Sequence, residues 1–303
     1  MRTPSYLIKA SLLLAGIMAV VLSEAQVAPV AGALFPRKYK VGEKYRYRLT
    51  TEQYYNKNWN STSVVIIECT VVADSAGVLW DEVRNLSKIM YTPNDTTNMD
   101  KEAQAVKPYR ITLQPHGKIE IPKLEVAAMT GPVTDFITFF VAISPQSLIT
   151  TLQKKGDSLV VKEPAKGNFT NGTTIPYGED CLAITGYVTD LTSKAVKLRT
   201  KFMPPARSCL TFLLDDMSKP VTAGIPNNFQ MVQPAAPDKY NVLFGNEEFT
   251  INSVVSRKDG KIMAADMSNT LHLTMRMNCT GDYKNCQMEA PFHIQRNLKL
   301  ELL

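Results

Sequence analysis

The chain of 303 residues carries 34 Lys and Arg against 28 Asp and Glu, a formal net charge of +6 with histidine neutral, and 45% of it is hydrophobic. That hydrophobic content, with little low-complexity sequence, excludes disorder for most of the chain, and the length suffices for one large domain or two smaller ones. So small a basic surplus suits solubility and a mild attraction to anionic surfaces, but it excludes a nucleic-acid binder.

The first element is amino-terminal. Arg2 and Lys9 make a basic start, Ala10–Leu22 is uncharged, and Ser23 and Ala25 are small residues ahead of a cut before Gln26. This is the layout of a secretory signal peptide over residues 1–25. The apolar run falls short of the ~20 residues of a spanning helix. No cysteine lies near the cut, so no lipid anchor is expected there, and no later stretch reads as long and apolar enough to span a bilayer. The mature chain is expected to be soluble and extracytoplasmic, either periplasmic or secreted. Residues 26–36 are small and apolar with two prolines and read as a linker.

Strand signals follow. In Tyr39–Val41 and Tyr45–Leu49 apolar residues alternate with basic ones, which places one face on a core and the other in water; Gly42-Glu43 reads as a kink. Val64–Val72 is a second strand after a turn at Asn56–Ser61. Asp74–Gly77 is the next turn and Val78–Tyr91 a third strand. Thr92–Lys107 is polar, a long loop or a short exposed helix. Tyr109–Leu113 and Lys118–Ile121 alternate around a Pro115-His116-Gly117 hairpin turn. The period then changes. Pro132–Ile143 has Phe136, Phe139 and Phe140 at helical spacing. Ser144 reads as the N-cap of a second helix with Pro145 in its first turn, Leu148, Ile149 and Leu152 on one face, Lys154 and Lys155 at its end and Gly156 beyond. Strands resume at Cys181–Asp190, Ala195–Met203, Leu210–Leu214 and Glu248–Val255. Residues 216–239, with four prolines, read as a long irregular connection. Arg257–Lys261 is a hairpin turn. Leu271, Leu273, Met275, Met277 and Cys279 then alternate with His272, Thr274 and Arg276, and a last strand carries Phe292, Ile294, Leu298, Leu300 and Leu302 on one face.

The expected fold is therefore mainly β, of the α+β kind: a large curved antiparallel sheet or two related sheets, with a short helical pair inserted at 132–155. Two β-rich halves, 37–165 and 166–303, form either separate domains or one continuous domain. A weak echo of strand, turn and strand near 64–84 and 249–267 fits two related halves or ordinary hairpin chemistry.

Cysteine usage is compatible with export. Cys279 and Cys286 flank the polar turn Thr280–Asn285 and are expected to bridge if it is a hairpin; Cys181 with Cys209 is a second candidate pair; Cys69 is the odd thiol, buried on a strand. Asn-x-Ser/Thr sequons at Asn60, Asn85, Asn94, Asn168, Asn171 and Asn278 can carry glycans in a eukaryotic secretory route, and such tripeptides also arise by chance in a chain rich in Thr and Asn. There is no CxxC pair, and His116, His272 and His293 are scattered on expected turns and polar strand faces, so neither a metal nor a cofactor is expected.

Gly156-Asp157-Ser158-Leu159 resembles the nucleophile block of the GDSL esterases and lipases, which implies hydrolysis at Ser158. In that family the serine follows a buried strand and opens a helix; here the tetrapeptide follows a basic helix end, and no histidine has the family's Asp three residues before it. A helix C-cap glycine and a polar turn account for the same residues, and no catalytic residue is assigned. The basic run Arg37, Lys38, Lys40, Lys44, Arg46 and Arg48 alternates with Tyr39, Tyr45 and Tyr47, so the two kinds point to opposite faces, and a solvated strand face is expected. Val41-Gly42-Glu43-Lys44-Tyr45-Arg46-Tyr47 is similar to the opening of exported bacterial β-rich proteins of this size, a resemblance that implies no activity. The layout of a sheet lined by helices resembles, in architecture alone, the LolA/LppX-like carriers of lipids or lipoproteins. It implies a concave face lined by Phe136, Phe139, Phe140, Leu148, Leu152, Met275 and Met277, with Met263 and Met267 as further adaptable apolar residues. The function expected is a non-enzymatic extracytoplasmic binding protein for an apolar or amphipathic ligand such as a lipid. The alternatives are a cell-surface structural or protein-interaction module using 216–239 and, third, an esterase-like hydrolase.

Overall fold

The computed structural model describes residues 33–113, 122, 124–148, 152–163, 182–202 and 210–303. The signal segment, the Pro115–Gly117 turn, the strand at 118–121, Cys181, Cys209, and the sequons at Asn168 and Asn171 lie outside them.

Alternation builds the strands. In β1 (Lys44–Tyr55) Tyr45, Tyr47 and Leu49 are buried while Lys44, Arg46 and Arg48 face solvent. A two-residue turn with Asn56 and Lys57 at positive φ, the twist hairpins favour, leads to β2 (Asn58–Ala73); the turn is tighter than the Asn56–Ser61 expected. Asp74 closes the next turn, accepting the Ala76 and Val78 amides, before β3 (Leu79–Tyr91). β4 (Thr96–Asn98), α1 (Asp100–Ala105) and β5 (Tyr109–Ile111) pack beside β3. After α2 (Thr130–Leu148) come β6 (Ser158–Glu163), β7 (Leu182–Leu191), β8 (Ala195–Phe202), β9 (Phe229–Ala236), β10 (Lys239–Ser256), β11 (Ile262–Cys279) and β12 (Met288–Leu302). All join one open antiparallel sheet in the order β4-β3-β2-β1-β12-β11-β10-β8-β7-β6, with β5 on β3 and β9 on β10. Chain-distant β1 and β12 pair at its centre.

The helix α2 is apolar on nearly all sides. Val133, Phe136, Ile137, Phe139, Phe140, Ala142 and Ile143 are buried, with Phe136 and Phe140 against the Tyr47 ring at 5.6 and 6.2 Å. Three polar tethers place it across the strands. Lys88 of β3 donates to the carbonyl of Ala128 just before the helix, Arg296 of β12 pairs with Asp135, and Thr200 of β8 donates to the carbonyl of Ala142. Each step of about seven residues, ~10 Å of helix, matches three strand spacings, ~14 Å of sheet. The helix is a chord and the sheet an arc curved around it. Its segment Ala127–Ser144 is long and apolar enough to cross a membrane by composition, contrary to expectation, but it is largely buried in the fold.

Four further expectations change. The helical pair is one helix that continues through Ser144-Pro145; Pro145 lies in the last turn, so its missing N–H removes a single ladder bond. Leu152–Asp157 forms a turn in which Asp157 accepts the amides of Gln153 and Lys154. Leu210–Leu214 is not a strand: the Leu213 amide donates to the Gln230 side chain. The 216–239 stretch is irregular only up to Asn228, where fully buried Asn227 ties it through an amide group that serves Met217, Lys219 and Val221; from Phe229 it forms β9. Pro234 is tolerated in β9 because, among the described residues, β9 pairs with β10 alone. The Asn85 sequon is buried, so a glycan has no room there in the folded chain.

Arg37 is the fourth change, since it is not on a solvated face. Its side chain is 2% exposed and bonds Asp81 Oδ1 at 3.1 Å, Tyr45 Oη at 3.2 Å and the Lys38 carbonyl, with its guanidinium 4.4 Å from the Tyr39 ring centre. The turn Arg257–Lys261 closes over it, and a Cβ on Gly260, at φ +72°, would lie 2.6 Å from Arg37 Cα. One side chain thus joins the chain's start to β1, β3 and the β10–β11 turn. Arg37→Met leaves Asp81 buried and unpaired and is expected to cost about 3–5 kcal/mol, measured as a shift in urea unfolding. The double variant Arg37→Met/Asp81→Leu should recover much of that loss. A single-variant cost below about 1 kcal/mol would show that the pair does not hold this end of the sheet.

Candidate functional site

Past α2 the same face of the sheet continues over β1, β12, β11, β10 and β9. Period-two alternation keeps it apolar: Leu271, Leu273 and Met275 follow Met267 on β11, and Ile294 and Phe292 follow Leu298 on β12. Leu243, Leu271 and Leu273 are buried together, and Phe229, Met231, Met275, Phe292 and Ile294 pack on them half-buried. Tyr55 of β1 extends the patch, its ring 5.2 Å from Phe292. The result is an apolar stripe across five strands that is left partly open to water.

A polar row divides this stripe from the core under α2. Arg296 and Asn269 are cross-strand partners, with Gln53 opposite Arg296 on the other side. Asn269 donates to Glu247 Oε1 at 2.8 Å, Arg296 pairs with buried Asp135 of the helix, and Gln53 donates to Tyr55 Oη at 3.0 Å. Burial outweighs the Arg296 charge and holds the Asp135 carboxyl above the usual carboxylate range. Desolvation likewise holds Glu247 up, against the Asn269 hydrogen bond and Arg296. Asn269 Oδ1 is buried and has no hydrogen-bond partner. The row is therefore rich in acceptors at the border between a dry core and an open apolar surface.

The residues expected to line a ligand site divide between these regions. Phe136, Phe139, Phe140 and Leu152 belong to the packed core beneath the sheet's arc. Met275 lies in the stripe, and Met277 faces Met288 beyond it. The side chain of Leu148 lies outside the described residues. Periodicity alone favoured the phenylalanines, whereas Phe229, Met231, Phe292 and Ile294 become a surface only once β9 is recognised and the register is known. Ser158 opens β6 opposite Tyr187, after a turn with Gly156 at φ +95°.

The opposite face at this end carries Arg276 beside a second apolar cluster. Arg276 bonds Asp216 at 2.7 Å and Glu289 at 2.6 Å and lies over the Phe244 ring, beside a cleft of about 580 Å³. Two carboxylates already satisfy this guanidinium, so it fastens the 215–218 turn to β11 and β12. The expected disulfide Cys279–Cys286 is present, spanning the Thr280–Asn285 turn, and Cys69 is a free, buried thiol. Asn278, at φ +50°, flips Cys279 away from the stripe and into a second apolar cluster with Met217, Val232 and Phe244.

No family model matches the chain, and no curated protein matches it. Among solved structures, one described as lipid–protein interactions in lipovitellin aligns with a TM-score of 0.39 at 9% identity, covering 88% of this chain and 25% of that one. This chain thus spans about a quarter of that protein's length. The MucA/MucB complex of Pseudomonas aeruginosa aligns at a TM-score of 0.16 and 7% identity over 86% of this chain and 89% of that one. A porin of Rh. blastica aligns at 0.15 and 9% identity over 86% and 99%. Likeness at these scores carries no functional weight, and the function rests on the site.

The elevated Glu247 pKa has a measurable consequence. Folded protein holds a proton that the unfolded chain releases, so this contribution to stability is complete below the unfolded pKa and is lost as pH rises through the folded one. Glu247→Gln removes the titration. Its urea stability relative to wild type is expected to rise as pH increases from about 4, where the unfolded glutamate titrates, through the raised folded pKa. Parallel curves across that range would place Glu247 in an ordinary solvated setting.

Proposed function

We propose that this chain is a non-enzymatic, extracytoplasmic binding protein that takes an apolar or amphipathic ligand, a lipid or a molecule of similar chemistry, on the open stripe of its sheet. The observation that carries this reading is the stripe itself: half-buried Phe229, Met231, Met275, Phe292 and Ile294 continue the hydrophobic face beyond the helix that covers the rest of it. Covering each is worth about 1 kcal/mol, half of a full apolar side-chain burial, and unbranched methionines adapt to flexible acyl chains. The neighbouring polar row supplies acceptors for a headgroup hydroxyl or amine. The signal-like amino terminus and the Cys279–Cys286 disulfide support an oxidising, extracytoplasmic setting. The architectural resemblance to LolA/LppX-like carriers and the exported bacterial flavour of Val41–Tyr47 point the same way.

The test is native mass spectrometry of protein from an exported preparation, before and after organic extraction, followed by titration with a fluorescent fatty acid. A lipid-sized mass that leaves on extraction is expected. Phe292→Asp and Met231→Asp should weaken probe binding by about tenfold or more, while Val160→Asp on the terminal strand β6, already 59% exposed, should not. Wild type that stays free of lipid after incubation with a mixed extract, or stripe variants that bind like Val160→Asp, would refute the reading.

A further inference from the structure

On the face of the sheet opposite the stripe, His272 of β11 and His293 of β12 are direct cross-strand partners, with ring centroids 4.8 Å apart. We propose that these two imidazoles form a site for a divalent transition-metal ion of the zinc, copper or nickel kind, completed by water.

The spacing fits such an ion. With metal–nitrogen bonds of ~2.0–2.1 Å and each ring centre about 1.1 Å behind its nitrogen, two ligands at roughly 90–109° have centroids about 4.5–5.2 Å apart. The observed separation falls inside that interval. Imidazole is the ligand these metals share, whereas magnesium and calcium require oxygen.

Both histidines are fixed through their backbones. The hairpin residue Asn56 accepts the His293 amide at 2.9 Å on Oδ1 and donates its own amide to the His293 carbonyl at 2.8 Å. On the other side, β10 approaches His272 so closely that a Cβ on Gly245 would lie 2.1 Å from the His272 carbonyl oxygen. A pair held this way loses little freedom on binding an ion.

Two further observations favour a ligand over a simple ring contact. Nδ1 of His293 is buried and has no hydrogen-bond partner, a condition that native proteins rarely leave uncorrected. His272 is exposed, so an ion reaches the pair from solvent. Among the described residues no group of three or more His, Cys, Asp and Glu surrounds the pair, so the site is a two-ligand one with open positions.

The experiment is calorimetric titration of the untagged full chain with zinc chloride, then copper sulfate, with magnesium chloride as control. One zinc or copper per chain is expected and no magnesium. His272→Asn and His293→Gln should each weaken binding roughly tenfold or more, with the fold checked by circular dichroism. His272 is exposed, so its variant reports on the site even if the His293 variant is unstable. Binding that survives in His272→Asn, or no zinc or copper uptake at millimolar metal, overturns the proposal. Lipid uptake is read separately, so either result stands apart from the stripe.

Discussion

A helix buried on nearly every side needs walls on nearly every side. Only Gly131 among the described burial states of α2 is exposed, and its phenylalanines require apolar contact through a wide arc. A flat sheet offers one wall. The chain supplies the others by bending a long antiparallel sheet until β3, β12 and β8 each reach the helix with a polar tether. The curvature, the openness of the sheet's edges and the limited length of face that the helix covers all follow from that demand. Because α2 lies across the strands, it covers only about its own width of each, ~10 Å, whereas β10 and β11, each of 18 residues, run about 60 Å. Some apolar face is therefore left over, and the stripe is what remains.

The polar row makes that division sharp. A continuous apolar face from Leu298 to Phe292 would let the helix slide along the strands, since neighbouring hydrophobic registers cost little to exchange. Arg296 and Asp135 remove that freedom: moving the helix by one turn would strand a guanidinium and a carboxyl in a dry core, a penalty of several kcal/mol. The same pair thus fixes the helix and marks where the core ends and the open surface begins.

Much of this was legible in the sequence. The alternation of Tyr45, Tyr47 and Leu49, and later of Leu271, Leu273 and Met275, identified strands and their inner faces, because a half-buried strand records its environment every second residue. The phenylalanines at helical spacing marked α2, and the polar turn between Cys279 and Cys286 marked their bridge. What failed shares a physical cause. Pro234 read as loop, because local chemistry does not say that β9 lies at the margin of the sheet, where a missing amide is harmless. Pro145 read as a helix start, because a lost hydrogen bond near a helix end is cheap when the helix is enclosed. Arg37 read as solvated, because its partner Asp81 is 44 residues away. Arg296 and Asp135, 161 residues apart, left no local trace at all.

The histidines follow the same logic from the other side. On a strand face each residue looks ordinary, and only the register of the β11–β12 hairpin sets His272 against His293. Because neighbours alternate, His272 lies between Leu271 and Leu273, and His293 between Phe292 and Ile294, so the imidazole pair and the apolar stripe are two faces of one short piece of backbone. Whatever stiffens the ladder on one face stiffens it on the other, since both depend on the same inter-strand hydrogen bonds. Gly245 belongs to both: it sits where β10 must close on the His272 carbonyl, next to Leu243 and Phe244, which enter different apolar clusters. A side chain there would push β10 away from β11, opening the stripe and displacing His272 together. That single position, more than any charged residue, ties the geometry of one face to that of the other.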